Sequence, residues 1–318
     1  MITYVIHRLI QSVFVFLLVT MALFFMIRLL PGDPILVLMS PEQMGRITED
    51  QITALRHEFG LDKPMVVQYV VWLSDVFHGN LGVSVLYRTS VTSEVLRRLP
   101  ITLHLGLLAI IISGILGIPL GIVSAVRRGR WLDTVVTVLS NLGITVPSFW
   151  LGILLMYLFA LYFRILPVFG YTSPFEDFWM NIKQIIMPVV CLSFFPLATI
   201  ARQTRSSMLE VMGQDYIRTA KSKGLTERVV VLRHALKNGL IPIVTLTGIS
   251  FRNVLGGAVI VETVFNIPGI GRLGVSGIIT KDYAVVQGVV LVMIISVLLI
   301  NLVIDLSYGW LDPRVRYE

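Results

Sequence analysis

The sequence has a single cysteine among its 318 residues, Cys191, and this residue lies inside an apolar run. One thiol forms neither a disulfide framework nor a cysteine metal site. The sequence also lacks an HExxH motif, and its five histidines, at positions 7, 57, 78, 104 and 234, do not have the spacing of metal ligands. These absences argue against a zinc enzyme and against a disulfide-stabilised fold.

A phosphate-binding loop is missing as well. No glycine is followed by lysine, so GxxxxGK[ST] is absent and the chain alone is not expected to bind or hydrolyse ATP. The long apolar runs contain one acid, Asp305, near the end of the last run, which leaves no carboxylate pair for intramembrane proteolysis. We therefore expect no enzyme active site and no cofactor bound by this chain.

Charged residues are scarce, at 14% of the chain, whereas 55% of the residues are hydrophobic and the mean hydropathy is +0.83. This composition is far from that of a soluble globular protein and indicates an integral membrane protein. The formal charge of +7 could suggest a nucleic-acid partner. The basic residues gather in short loops beside apolar runs, however, so they are expected to set membrane orientation instead.

The apolar runs predict an all-α membrane protein with six transmembrane helices, at residues 9–30, 101–126, 134–163, 185–204, 241–261 and 284–306. The first run is longer than the core of a signal peptide and has no small-residue cleavage site, so we expect an uncleaved span. Arg127, Arg128 and Arg130 follow the second run, and eight further bases surround residues 205–240. This distribution predicts that both termini are cytoplasmic.

The third predicted span is longer than a straight crossing requires. It contains Asn141, Gly143 and the pair Pro147–Ser148. Proline removes a helical hydrogen bond and glycine weakens the helix, so we expect this span to be kinked or tilted.

Two segments are predicted to lie outside the membrane. Residues 31–99 form an insert with two amphipathic helices, one capped by Thr48 with Gln51 and one that begins after Pro64 and presents Tyr69 on its apolar face. Both are expected to lie against the membrane or the helix bundle. Residues 262–283 form a second outer loop with a glycine-rich turn.

Residues 205–240 are basic and polar between two apolar runs, and predict two short helices with a hinge. In the first helix Tyr216 and Ala220 lie four residues apart with Ile217 and Thr219 beside them. Gly224 is expected to end this helix in a left-handed conformation, and Thr226 could cap the next one. A solvated loop with incidental helical turns is the alternative.

The spacing of Ala220, Gly224 and Leu240-Ile241-Pro242 resembles the signature loop of ATP-binding-cassette importer permeases, and DYIRTAKSKGL is similar to that of the dipeptide/oligopeptide branch. The resemblance covers nearly the whole chain, because LPGDP at 30–34, LPITL at 99–103 and ETVFNIPGIG at 262–271 also match in order. The chain departs from the wider superfamily at one place. Arg218, Thr219 and Ala220 stand where the loop usually has Glu-Ala-Ala.

The resemblance implies a type I importer permease bundle that forms half of a pathway in a bacterial or archaeal cytoplasmic membrane. Its implied partners are a second homologous permease, two ATPase subunits that carry ATP and Mg²⁺, an extracytoplasmic solute-binding protein and membrane lipid, without nucleic acid. The implied solute is a di- or oligopeptide, with glutathione, a nickel chelate or a sugar left open. The residues implied to couple the chain to the ATPases are Asp215, Tyr216, Arg218, Thr219, Ala220 and Gly224.

Polar residues within the predicted spans are candidates for the translocation pathway. Ser250, Arg252 and Asn253 lie near the middle of the fifth span and Asn141 lies in the third. A charge at the bilayer centre costs at least ~2.5 kcal/mol, so Arg252 is expected to face the bundle interior, water or a partner. A structural pair with a partner helix is an equally open interpretation.

Two other classes of function remain open. An ion-coupled secondary transporter would require inverted repeats, which the sequence does not show, and would work without partner subunits. A membrane scaffold would tolerate a featureless segment at 205–240, whereas this segment is patterned. Co-purification with two ATPases would distinguish an importer permease from both.

Overall fold

A computed structural model describes residues 2–29, residues 51, 53, 54 and 57, and residues 62–311. In these residues the chain is helical and has no β-strand, with one isolated bridge between Val83 and Ser90. Thr48, where a helix is predicted to begin, lies outside the described residues, and the four described residues of that stretch, 51, 53, 54 and 57, are helical.

Eleven helical segments follow one another along the described chain. The first two are α1 (Ile2–Arg28) and α2 (Met65–Phe77). The others are α3 (Val91–Val126), α4 (Trp131–Thr145), α5 (Ser148–Leu155, continued as a π-helix over Met156–Tyr162), α6 (Phe178–Met212), α7 (Asp215–Ser222), α8 (Glu227–Val229, a π-helix over Val230–Ala235, and Leu236–Gly239), α9 (Ile241–Val264), α10 (Ile270–Ile279) and α11 (Tyr283–Leu311).

Five helices among the described residues, α1, α3, α6, α9 and α11, are long and apolar enough to cross a membrane. The α4 and α5 helices together form a sixth candidate, bent by 104° at the break between them. The bend follows from Pro147, which has no N–H to donate and which forces Val146 into an extended conformation with ψ 123°. The kink predicted for the third span is therefore present, and it is sharp.

Several helices extend beyond the apolar runs. The α3 helix begins at Val91, ten residues before the predicted second span, and continues through Pro100. Residues 91–99, predicted as the end of the outer insert, are therefore continuous with the helix of that span. Its first turns are charged, which hydropathy does not detect. The Arg98 guanidinium donates two hydrogen bonds to the Glu94 carboxylate, at 3.1 and 2.9 Å.

The α6 helix, at 35 residues, likewise exceeds the predicted fourth span and continues through Pro188 and Pro196. The α9 helix ends at Val264, so Glu262, predicted to open an outer loop, is helical. Its side chain is fully buried and accepts a hydrogen bond from the Thr102 hydroxyl. A buried carboxylate needs such a partner, and Thr102 supplies one from α3.

The chain divides into two compact units, and α3 and α11 contribute to both. Among the described residues, the first unit comprises residues 101–268 and 300–311. Its core contains Leu105 and Ala109 from α3, Leu192 from α6, and Val254 and Val261 from α9. This core brings α3, α6 and α9 together.

Small residues set the closest helix approaches in the first unit. A β-carbon on Gly121 would lie 2.5 Å from the Ala201 carbonyl oxygen, and one on Gly143 would lie 2.6 Å from the Ala198 β-carbon. Backbones that approach this closely have no room for a larger side chain. Thus α3 and α4 both pack tightly against α6.

Among the described residues, the second unit comprises residues 2–29, 51, 53, 54, 57, 62–100 and 269–299. Here α2 packs on α1 through Tyr69, whose hydroxyl lies 3.0 Å from that of Thr20 and whose ring contacts Phe24 at a centroid distance of 5.6 Å. Val66 and Val70 of the predicted apolar face remain exposed. This arrangement leaves part of that face available to lipid or protein.

The predicted glycine-rich turn after the fifth span is in fact the helix α10. Ile270 and Leu273 of α10 pack with Val285 and Val289 of α11. A β-carbon on Gly277 would lie 2.9 Å from Val285, so this glycine serves helix packing and not a turn. Periodicity could have identified the helix, but glycine content favoured a turn.

Candidate functional site

The α7 helix turns one row of side chains inward and exposes the rest. Ile217 and Ala220 are buried, whereas Tyr216 is 42% exposed, so the inward row is Ile217 with Ala220 and not the predicted row of Tyr216 with Ala220. The helix ends before Gly224, whose φ of +78° confirms the predicted left-handed conformation. Any residue with a β-carbon would be strained at this position.

A cluster of apolar side chains holds α7 in place. Ile217 and Ala220 pack with Ala125 from the end of α3, Met208 from the end of α6, and Val230 from α8; Val231 and Ala235 complete the cluster. Because α3 and α6 are both long enough to span a membrane, α7 packs against the ends of two long helices. A displacement of α7 would therefore be transmitted to the ends of α3 and α6.

The α8 segment completes the apolar cluster that holds α7 in place. Its central turns are a π-helix, which is uncommon and often found at functional sites. The Asn238 side-chain amide donates to the Tyr216 hydroxyl at 2.9 Å and ties α8 to α7. Thr226 occupies the N-cap position without the predicted side-chain cap hydrogen bond.

The outer side of α7 is charged and solvated. Asp215, Arg218 and Thr219 are exposed, together with Lys221 and Lys223. The Arg218 guanidinium donates to the Asp215 carboxylate at 3.3 Å, but both side chains are at least 75% exposed, so this pair adds little stability. The charges on this surface are thus not committed to the fold and can contact a partner.

An ion pair joins α6 to α4, and its acid is buried while its arginine is partly exposed. Arg205 of α6 donates from Nε and Nη2 to the two carboxylate oxygens of Asp133 in α4, at 2.7 and 2.9 Å. The Asp133 carboxylate also accepts from the Ser124 hydroxyl at 2.6 Å and from the Gly129 N–H at 2.9 Å. This network fastens the α3–α4 turn to α6.

Three of the four candidate pathway residues are exposed and the fourth is buried. Asn141 on α4 and Arg252 and Asn253 on α9 are exposed, whereas Ser250 is buried at 2% exposure. Asn141 accepts a hydrogen bond through its backbone carbonyl from the Thr145 hydroxyl at 2.8 Å. Among the described residues, no carboxylate forms an ion pair with Arg252.

A cavity of about 300 Å³ lies in the first unit at the break between α4 and α5. Its floor is apolar and buried, with Cys191, Leu192 and Pro196 from α6 and Val254 from α9. Its edge contains exposed residues, of which Thr145, Pro147, Phe195 and Asn253 are examples. In the described part of the chain, no group of three His, Cys, Asp or Glu side chains is arranged to hold a metal ion.

Comparison with known proteins identifies the fold and the family. Residues 117–317 match the family described as the binding-protein-dependent transport system inner membrane component, and residues 1–106 match the N-terminal component of such systems. This chain belongs to that family. It is accordingly a multi-pass inner-membrane permease, and permeases of this kind act with ATPase subunits.

Relatives match this permease over its full length. It is 42% identical over 314 residues to a "probable peptide ABC transporter permease protein" of Sinorhizobium fredii, with 99% of each chain covered. It is 36% identical over 341 residues to the "dipeptide transport system permease protein DppB" of Escherichia coli K12, with both chains fully covered. The predicted resemblance to the dipeptide/oligopeptide branch is confirmed.

Solved structures share the fold of this permease at low sequence identity. An inward-facing structure of the MetNI methionine ABC transporter matches with a TM-score of 0.58 and 20% identity, over 69% of this chain and 96% of that one. A structure of an amino acid ABC transporter with histidines matches with a TM-score of 0.50 and 17% identity, over 68% and 93%. The predicted importer-permease fold is confirmed.

The Asp133–Arg205 pair of this permease was not identified from the sequence. Arg205 was grouped with the other bases of residues 205–240, and Asp133 lies one residue before the predicted third span. The available signal was an acid in a first helical turn directly after an arginine-rich loop. Distance along the chain, 72 residues, concealed the pairing.

Proposed function

We propose that this chain is a permease subunit of an ATP-driven importer that moves di- or oligopeptides across the cytoplasmic membrane by alternating access. The observation that carries the proposal is the α7 helix, which is seated on α3 and α6 by buried apolar residues while its charged side is exposed. The names of the full-length relatives support a peptide as the solute.

The proposed contact with the ATPases consists of the six residues predicted from the resemblance: Asp215, Tyr216, Arg218, Thr219, Ala220 and Gly224. Of these, Ala220 packs α7 into its apolar cluster, and Gly224 sets the direction in which the chain continues after α7. The exposed side chains of Asp215, Arg218 and Thr219 would meet the ATPase surface. Closure of two ATPases on ATP would then move α7 and the ends of α3 and α6 as one body.

The proposed complex also contains a second, homologous permease and an extracytoplasmic solute-binding protein. The basic segment at residues 205–240 and the arginines of the α3–α4 turn support a cytoplasmic location for the α7 side, with both termini cytoplasmic. The insert that precedes α3 would then lie outside. Asn141, Ser250, Arg252 and Asn253 belong to the proposed pathway, with Ser250 as a packing residue of its wall.

Reconstitution of the complete complex tests this function. Proteoliposomes that contain both permeases and both ATPases should accumulate a labelled dipeptide only when ATP and the loaded binding protein are both supplied. The matched control is the same complex with an ATPase subunit that cannot hydrolyse ATP. Accumulation in that control would contradict ATP-driven import.

A further inference from the structure

The cavity at the break between α4 and α5 has the character of a small-molecule site. Ligand pockets are typically about 300–1,000 Å³, mostly apolar, with a few polar groups that fix orientation. At about 300 Å³ this cavity is at the lower end of that range. It is larger than the ~150 Å³ of an apolar cavity that holds benzene, so it has room for one large apolar side chain. Its floor of Leu192, Pro196 and Val254 is apolar.

The residues beside the cavity argue against lipid as its occupant. Asn253 of α9 is exposed on the cavity edge, and Arg252, the residue before it, is exposed near the middle of the same helix but does not line the cavity. Asn141 lies one turn before Thr145, which is also on the edge. An amide on the cavity edge and a guanidinium near the middle of the same span would both be unfavourable against acyl chains, so this part of α9 is expected to meet water or a polar solute.

A peptide combines the chemical groups that this face could bind. Its main chain and terminal carboxylate suit Asn and Arg side chains, whereas an apolar side chain suits the buried floor. We infer that the cavity is a subsite for one large apolar side chain of the peptide in transit, with Asn253 on its edge. This inference rests on the proposed function of peptide import.

Two adjacent glycines of α9 provide a matched pair of substitutions. Gly257 lines the cavity, and a β-carbon there would meet nothing closer than Leu192 at 3.9 Å, so a larger side chain would enter the cavity. Gly256 is exposed, lies outside the cavity lining, and has open space at its β-carbon. Gly257→Leu and Gly256→Leu therefore make the same change, but only the first reduces the cavity volume.

The experiment measures uptake of alanyl-phenylalanine and alanyl-alanine in direct competition by the reconstituted complex. The binding protein is the same for every variant, so its own preference cancels. Gly257→Leu should lower the uptake ratio of alanyl-phenylalanine to alanyl-alanine about tenfold, since a change of one methylene in an apolar pocket alters selectivity by at least that factor. Gly256→Leu should leave the ratio unchanged.

An unchanged ratio in Gly257→Leu, or an equal fall in both variants, would overturn the subsite while wild-type uptake keeps the proposed function intact. If Gly257→Leu fails to assemble, Gly257→Val adds less volume, and its ratio should fall in the same direction by a smaller factor; no fall would overturn the inference. If the wild-type complex takes up neither dipeptide with ATP and binding protein present, the proposed function fails and the subsite fails with it.

Discussion

The Arg205 guanidinium and the Asp133 carboxylate form a bidentate ion pair with N···O distances of 2.7 and 2.9 Å, and this pair joins α6 to the first turn of α4. Asp133 is only 5% exposed. Removing Arg205 would leave the buried Asp133 carboxylate with only the hydrogen bonds from Ser124 and Gly129, and removing Asp133 would leave the partly exposed Arg205 guanidinium without its two hydrogen bonds to that carboxylate. Breaking the pair in this way is more costly than replacing both partners.

We therefore expect Asp133→Ala and Arg205→Ala each to destabilise the complex, by about 1–3 kcal/mol, because each removes both charge-assisted hydrogen bonds from the remaining partner. The double variant should be little worse than either single one, since the two residues act as one interaction. The loss of stability is measured as the fall in the thermal unfolding midpoint of the purified complexes. Arg202→Ala is the control, because Arg202 is exposed on the same helix; additive losses from the two substitutions would contradict the pairing.

Gly224→Val should uncouple ATP hydrolysis from transport. At a φ of +78° a β-branched residue costs on the order of 1–3 kcal/mol, and the chain would leave α7 in another direction. Assembly should persist, because the apolar spans are untouched. Uptake and the ATPase activity stimulated by loaded binding protein should both fall by on the order of tenfold, the factor that about 1.4 kcal/mol represents.

The control for this substitution is Gly79→Val. Gly79 has a φ of +79° and, like Gly224, has no other atom within 4 Å of the place that a β-carbon would occupy, so the backbone strain is matched. It follows α2 in the chain and is not part of the proposed coupling segment. Equal losses of stimulated ATPase activity in both variants would show that strain alone, and not the position of Gly224, is responsible.

Reversing the charge of Arg218 should weaken coupling as well. Arg218, Lys221 and Lys223 make the exposed side of α7 basic, so the ATPase surface that receives it should offer acids or carbonyl oxygens. Arg218→Glu is expected to lower stimulated ATPase activity and uptake about tenfold or more, while membrane levels remain normal. The matched control is Arg128→Glu, because Arg128 is also an exposed arginine and lies in the α3–α4 turn. If Arg218→Glu keeps wild-type uptake and stimulated ATPase activity, Arg218 is not part of the contact.

The orientation of the chain can be read with fusion reporters. A reporter placed after Arg130 or after Lys223 should be cytoplasmic, because both positions lie in the most basic loops. A reporter after Thr172, between α5 and α6, should be on the opposite side. Opposite labelling at two of these positions would contradict the six-span topology.

The helical spans and the α7 helix could be predicted because both depend on local pattern. Apolar runs define spans, and the left-handed preference of glycine marks the end of α7 at Gly224. The early start of α3 could not be read from hydropathy, because its first turn is stabilised by the pairing of Glu94 with Arg98 and its apolar residues pack against α10 and α11.

Contacts between residues that are far apart in the chain could not be predicted from the sequence. Asp133 and Arg205 meet only because α4 and α6 pack closely at Gly143 and Ala198. The cavity exists only because the α4–α5 break, α6 and α9 converge. The polarity of Asn253 indicated a functional position on α9, but not the apolar space beside it.

The central claim is that this chain transports peptide only with the energy of partner ATPases. The most direct measurement is accumulation of a labelled dipeptide in proteoliposomes that contain this permease, its homologous partner, the two ATPases and the loaded binding protein. We predict accumulation that stops when ATP is withheld or the ATPases are left out. Accumulation by the permeases alone, driven by an ion gradient, would contradict the account and identify a secondary transporter.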